Sequence, residues 1–426
     1  MPNGAKRVRG LAARRRRRWR WLAVALAALA VLLLVWRLTE HGESPSGEPG
    51  EAPAAQAPEP EVAADLPYFG FNELRWSISW QMGDPADPDR SLRLAVDASA
   101  GAGVNTNRLP IPWNDIIDPA GGWDEGAWAR YRDAYEEMVA RGVAPIVLLY
   151  AAPRGGVEQA DPNWAPPGCT GGFASPPDPV HDADWQALVV RASNEFDQAL
   201  ALQIWNEPNS RDYWGGETCA PDPARYVQLV ALARQALSGS GSEHPDRALV
   251  SAGLNPATVP GTIEWRDYLE ATISAGLLDY VQAVGLHPYP LRGDCDRAPD
   301  PALALSRGMD AQLAQAAAIV PEPTPIWVTE FGASSAAGLT TDCRALTEAD
   351  QARALSAMYD SLAADDRVEV AIVHQLVDEH LSYPEQLPNH FGVMRDAPAF
   401  LEPKPAYWCL AERRGRPTVD VTIDCG

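Results

Sequence analysis

From residue 67 onward, short apolar runs alternate with amphipathic helical stretches, and this alternation restricts the chain to a parallel α/β architecture. The apolar runs that read as strands lie at 68–72, 104–108, 144–150, 199–205, 248–253, 280–286, 326–330 and 368–375. Helical stretches lie between them at 128–141, 184–194, 223–237, 301–319 and 348–363, and a last one leads into 407–412. Eight strands alternating with helices over about 345 residues predict an α/β fold of the (β/α)8 TIM barrel type with long loops. A doubly wound sheet would need a phosphate-binding glycine turn after the first strand. Phe69-Gly70-Phe71-Asn72-Glu73 is not one.

In such a barrel the chemistry sits where strands end and loops begin. The fourth strand runs Leu202-Gln203-Ile204-Trp205 into Asn206-Glu207-Pro208-Asn209. Pro208 stops the ladder and is expected to hold Glu207 extended, with its carboxylate aimed out of the barrel top. The seventh strand runs Ile326-Trp327-Val328-Thr329 into Glu330-Phe331-Gly332. A lone Glu beside an apolar run is usually a solvated end residue. Two of them, on opposite strands of one barrel, point instead to a pair of carboxyls facing one cleft. That pair is what glycoside hydrolysis requires: one donates a proton to the leaving oxygen, and the other attacks the anomeric carbon or activates water.

Ile204-Trp205-Asn206-Glu207-Pro208-Asn209 and Trp327-Val328-Thr329-Glu330-Phe331-Gly332 resemble the two signatures of clan A glycoside hydrolases, nearest to the cellulase-like family 5 and family 39 group. The resemblance covers roughly 67–412. It implies a retaining enzyme with Glu207 as acid/base and Glu330 as nucleophile, without cofactor or metal. Asn105-Thr106-Asn107-Arg108 with Trp113 resembles the second strand, where the clan places an Arg near the nucleophile. Leu286-His287-Pro288-Tyr289 resembles the sixth, whose His and Tyr line the sugar site. Phe391-Gly392-Val393 followed by Lys404-Pro405-Ala406-Tyr407 resembles the approach to the last helix. The substrate-binding set so implied includes Arg108, Trp113, Asn206, His287 and Tyr289. Arg108 would hold Glu330 ionised, which leaves Glu207 to carry the proton, and Asn206 would bond the sugar 2-OH. Plainer roles stay open. Arg108 could serve stability, Asn206 could cap a turn, His287 could pack a strand end, and Trp113, Trp164 and Trp214 could be core. Trp205 reads as structural, because strand alternation points it away from its neighbours.

One stretch departs from the clan pattern. The clan places a Trp at the end of the eighth strand as a floor under the sugar, and Ile372-Val373-His374-Gln375 has none. His374 or Gln375 is expected to take that place. His374, Asp378, Glu379 and His380 match no common metal-ligand spacing and read as a structural loop.

Ahead of the barrel the chain divides into three parts. Residues 1–20 form a basic tail. Residues 21–37 hold an uncharged run of about 16 residues bounded by Trp21 and Trp36, near the roughly 17 needed to span a bilayer. With Arg14 to Arg18 and Arg20 before it, this segment reads as a transmembrane signal-anchor that leaves the tail cytoplasmic and residues 67–426 outside. The alternative is a cleaved signal peptide and secretion, but no small-x-small site follows closely. Residues 38–66, rich in Pro, Glu and Ala, cannot bury a core and read as a disordered, extended linker.

Residues 1–37 carry ten Lys and Arg and no acid, so the net −22 of the whole chain leaves −32 on the remainder. Phosphates would be repelled by such a domain, which excludes nucleic acid as a partner and favours a neutral or weakly charged carbohydrate. All six cysteines lie beyond the anchor, and an even count in an exported domain favours disulfides over buried thiols. Cys169 and Cys219 fall in the loops after strands three and four, and Cys295 and Cys343 in those after six and seven. Each such pair shares the barrel top as neighbours. Cys409 and Cys425 then remain to tie the tail to the last helix. The function expected is hydrolysis of an extracellular or cell-surface glycan. A transglycosylase using the same residues and an inactive carbohydrate-binding barrel are the alternatives.

Overall fold

The computed structural model describes residues 66–73, 88–153, 163–169, 171–257, 260–379, 386–397, 400–416 and 423–425. The basic tail, the apolar segment 21–37 and all of the linker but its last residue lie outside them. Among the described residues, no helix is long and apolar enough to cross a membrane.

Eight parallel strands form one sheet: β1 (Tyr68–Asn72), β2 (Thr106–Pro112), β3 (Ala144–Tyr150), β4 (Ala201–Ile204), β5 (Leu249–Ser251), β6 (Val284–Leu286), β7 (Ile326–Phe331) and β8 (Val368–His374). Their order is β5-β4-β3-β2-β1-β8-β7-β6. A bridge between Val250 and Ala283, with the Ser251 N–H donating to the Ala283 carbonyl at 3.2 Å, joins the two ends into a closed ring. This is the expected (β/α)8 barrel. Around it run α1 (Pro88–Gly101), α2 (Glu125–Val139), α3 (Asp182–Glu195), α4 (Pro223–Leu237), α5 (Trp265–Ser274), α6 (Pro301–Ile319), α7 (Glu348–Ala363) and α8 (Pro405–Arg413).

Local sequence explains the helix starts. The Asp222 and Asp300 carboxylates accept from first-turn N–H groups, and each is followed by a proline whose missing N–H would have had no partner there. The Thr347 hydroxyl caps α7 in the same way. Helix α5 buries Trp265, Tyr268, Leu269 and Thr272, a single face at helical spacing.

The barrel interior holds Ile146, Ala201, Val250, Ala283, Trp327, Val370 and Ile372. Two residues further along their strands, Gln203 and His374 occupy the same inward rows. The inside of the barrel is therefore apolar at its base and polar at its top, which floors the site with a packed layer.

Strand β2 differs from the expected 104–108. It starts at Thr106 and continues through Pro110 and Pro112, which pair in register with Leu148 and Tyr150. Prolines normally end a ladder, but the β1 register stops at Arg108, so one side of β2 has little ladder left to break. An antiparallel hairpin, β9 (Met394–Ala397) with β10 (Phe400–Pro403), stands between β8 and α8. The cysteines pair as Cys169–Cys219, Cys295–Cys343 and Cys409–Cys425, as the loop placement predicts, with Cα separations of 4.8, 5.8 and 5.5 Å.

Candidate active site

A cavity of about 850 Å³ opens at the C-terminal ends of the strands, with Glu207 and Glu330 in its wall. Each reaches it by a local irregularity. After β4 the chain passes through left-handed backbone at Trp205 (φ 73°) and Glu207 (φ 44°). The extended conformation expected of Glu207 ahead of Pro208 is therefore not adopted. Left-handed backbone costs roughly 1–2 kcal/mol per residue. Here surrounding bonds hold it. The Trp205 N–H donates to the Leu149 carbonyl (2.9 Å), its indole N–H to the Tyr213 carbonyl (2.9 Å), and the Glu207 N–H to the Gly253 carbonyl (3.1 Å). On β7, Trp327 and Thr329 point inward, so strict alternation would send Glu330 out. The β7–β8 register shifts between Val328 and Phe331, and Glu330 turns into the cavity as well.

Glu330 is held by three donors. Arg108, 1% exposed, bonds Oε1 through Nη1, Asn206 Oδ1 through Nη2 (2.8 Å) and Gln203 Oε1 through Nε (2.6 Å). Asn72 Nδ2 donates to the same Oε1 at 3.2 Å. The Tyr289 hydroxyl donates to Oε2 at 2.8 Å. Burial alone would raise the Glu330 pKa. The Arg108 guanidinium and the facing His287 and His374 rings oppose it electrostatically, Tyr289 adds its bond, and together they hold the carboxyl below the usual range. Burial and the nearby Glu330 charge push the Tyr289 phenol well up, so it stays a neutral donor.

Glu207 has a different surrounding. Its Oε2 accepts from Asn255 Nδ2 at 2.7 Å, and its Oε1 lies 3.0 Å from His287 Nδ1. His287 Nε2 faces the Thr329 hydroxyl at 3.1 Å, which accepts from Gln203 Nε2 at 2.9 Å. A hydrogen-bonded chain thus runs from Arg108 through Gln203, Thr329 and His287 to Glu207. The His287 ring approaches Gly253 so closely that any Cβ there would stand 2.0 Å from it, so only glycine admits it. Asn209, at the end of the Asn-Glu-Pro-Asn run, pins Asn255 by bonds to its N–H (2.9 Å) and carbonyl (2.8 Å).

Ligand atoms of Glu207, His287 and Glu330 lie within 4.8 Å of one another, a spacing that could also hold a cation. Their partners disfavour one: each of these carboxylate oxygens already accepts from, or faces, a nitrogen or hydroxyl, and the Arg108 guanidinium sits on Glu330.

Arg108, Asn206, His287, Tyr289 and His374 therefore surround the two glutamates. Two expected residues do not. Trp113 is fully buried, with its ring 5.1 Å from that of Trp164 and 5.8 Å from that of Trp185, and packs behind the cavity wall. Gln375 is buried and donates to Glu379 Oε1 at 3.0 Å, so at the end of β8 it is His374 that faces the cavity. Its companion is Phe391, with ring centroids 5.9 Å apart. Asn72, Gln203, Asn255, Thr329 and Phe391 complete the site without having been singled out from sequence. Asn72 ends β1 and Thr329 directly precedes Glu330, so the same reading that found the glutamates would find them. Asn255 lies on a loop, and no local pattern marks it; Phe391 belongs to the run that reads as the approach to the last helix, and nothing in that run points it at the sugar site.

No family model matches the chain, and no curated protein matches it in sequence. Solved structures do match. A family 39 glycoside hydrolase from Bacteroides cellulosilyticus WH2 aligns with TM-score 0.56 and 17% identity over 84% of this chain and 66% of its own. An exo-beta-1,4-mannosidase from Opitutaceae bacterium strain TAV5 gives 0.54 and 17% over 82% and 59%. The chain thus spans less than two thirds of the length of both. GH5_18 from Streptomyces cattleya, solved with GlcNAc, gives 0.59 and 18% over 83% and 80%. The chain thus shares the (β/α)8 barrel fold of these glycoside hydrolases.

Proposed function

We propose that the protein is a retaining glycoside hydrolase acting on a neutral or weakly charged glycan outside the cell. The observation that carries this reading is the pairing of two carboxyls in one cleft, with the Arg108 guanidinium bonded to Glu330 alone of the two. An oxygen of Glu207 and one of Glu330 lie within 4.8 Å of each other. Carboxyls about 5–5.5 Å apart leave no room for a water between nucleophile and sugar, as inversion would require.

In the first step Glu330, kept ionised by Arg108 and Tyr289, attacks the anomeric carbon while Glu207 protonates the departing oxygen. A glycosyl ester on Glu330 and the free leaving group result. In the second step Glu207 takes a proton from water, the water oxygen bonds the anomeric carbon, and Glu330 leaves as carboxylate. The donors that hold Glu330 must release charge in the first step and recover it in the second, so their strength sets both barriers. Asn206, positioned by Arg108, is placed to bond the sugar 2-OH. His374 and Phe391 bound the sugar where the clan has a Trp.

The basic cluster and the Trp-bounded apolar run support a membrane-anchored protein with its barrel outside. To test the activity, the barrel is screened against aryl glycosides and polysaccharides, and the anomer first formed is read by proton NMR. Retention supports the reading, and inversion contradicts it.

A further inference from the structure

We propose that Phe173 and Tyr213 form a rigid aromatic ledge that receives the leaving-group sugar, so that this site is built for a bond between two sugars rather than for a small aglycone. The inference rests on the hydrolase reading and adds to it the class of leaving group.

Phe173 is 56% exposed and lines the cavity. A single exposed Phe is ordinary on a protein surface. The backbone that carries this one is tied on several sides. The Phe173 and Ala174 N–H groups donate to the Asp212 carbonyl at 2.5 and 3.2 Å. Gly171 donates to the Gly215 carbonyl at 2.9 Å, and Gly215 returns a bond to Ala174 at 2.8 Å. The Cys169–Cys219 bridge closes the same two loops. They approach so closely that a Cβ on Gly172 would lie 2.4 Å from the Asp212 carbonyl oxygen, and one on Gly216 would lie 2.6 Å from the Gly171 Cα. The Tyr213 backbone is tied by the bond its carbonyl accepts from the Trp205 indole N–H, and its ring lies 5.6 Å from that of Phe173. Burial and the neighbouring Glu207 keep its phenol neutral, hence a donor.

Position decides which sugar the ledge meets. Tyr213 follows Glu207 in the loop after β4, and Glu207 is the group that must reach the departing oxygen. Glu330 is flanked on its far side by Asn72, which also bonds His374, with Phe391 beyond. The sugar bonded to Glu330 therefore belongs to the β8–β1 side, and the leaving group belongs to the β3–β4 side, over Phe173. A pyranose presents a flat face of C–H groups to such a ring, and a pre-ordered ring binds it without a further cost of ordering.

The test compares two leaving groups on one sugar. Among glucose, mannose and xylose, the sugar whose fluoride the wild type hydrolyses fastest is chosen. Then kcat/KM is measured for that glycosyl fluoride and for the 1,4-linked disaccharide of the same sugar. Fluoride is too small to touch the ledge. In Phe173→Ala the ratio of disaccharide to fluoride kcat/KM should fall about tenfold, the scale of one aromatic contact. Phe173→Trp should keep the ratio near wild type. A ratio within twofold of wild type in Phe173→Ala would overturn the ledge while leaving the hydrolase reading intact. Failure of the wild type to release fluoride from any of the three would count against both.

Discussion

The Tyr289 hydroxyl, carried by the loop after β6, donates at 2.8 Å to the Glu330 Oε2 at the end of β7. Because Oε1 is taken by Arg108 and Asn72, this bond orients the second oxygen of the proposed nucleophile. A hydrogen bond to a charged group contributes about 1.5–3 kcal/mol. Tyr289→Phe should thus lower kcat/KM by roughly 10- to 100-fold. It also removes one support of the ionised carboxyl. Glu330 is held low in the folded protein, so loss of that bond raises its pKa, and activity on the acid side should fail at a higher pH than in the wild type. The pH profile of kcat/KM reads this directly. A lower rate with an unmoved acid limb would mean that the tyrosine serves packing alone.

Lys404 is 1% exposed and donates to Asp378 (2.7 Å), the Ser335 hydroxyl (2.9 Å) and the Gly392 carbonyl (2.7 Å). Burial pushes Asp378 up and Lys404 down, each against the pull of the other. Lys404→Met leaves a buried carboxyl unpaired and should cost about 3–5 kcal/mol in urea unfolding. Adding Asp378→Asn should recover part of it. A single variant as stable as the wild type would show that the pair is dispensable.

The Cys409–Cys425 bridge spans 16 residues and ties the tail to α8. Replacing both cysteines by Ser should lower stability by about 3 kcal/mol. The bridge lies away from the cavity wall, so kcat/KM at low temperature should stay near wild type. Urea midpoints and activity measured on one preparation check both parts.

The full-length protein should sediment with membranes and keep its N-terminal sequence, as the Arg14 to Arg18 cluster and the run from Trp21 to Trp36 lead us to expect. A soluble form starting between residues 38 and 66 would replace the anchor by a cleaved leader.

Much of the barrel was legible because burial on both faces writes parallel strands as apolar runs. β1 and β3, and the helices α4, α6 and α7, fall where the sequence places them. The site was legible where chemistry interrupts such a run, at Glu207 and Glu330. It was illegible where tertiary contact decides. Trp113 resembles a platform in sequence, yet it is enclosed by Trp164 and Trp185. Pro208 argues for an extended Glu207, yet the bonds from Trp205 to Leu149 on β3 and from Glu207 to Gly253 beyond β5 hold a left-handed turn. Asn255 is 48 residues from the glutamate it bonds, and only barrel closure brings them together.

The roles of the two glutamates are tested most directly by the anomeric configuration of the glycosyl azide formed when azide rescues each alanine variant on an activated aryl glycoside. In Glu207→Ala, azide enters the vacated space and attacks the sugar bonded to Glu330. In Glu330→Ala it takes the nucleophile's place. The account predicts a product of retained configuration from Glu207→Ala and of inverted configuration from Glu330→Ala. Exchanged configurations, or near-normal hydrolysis of a natural substrate by both variants without azide, would contradict it.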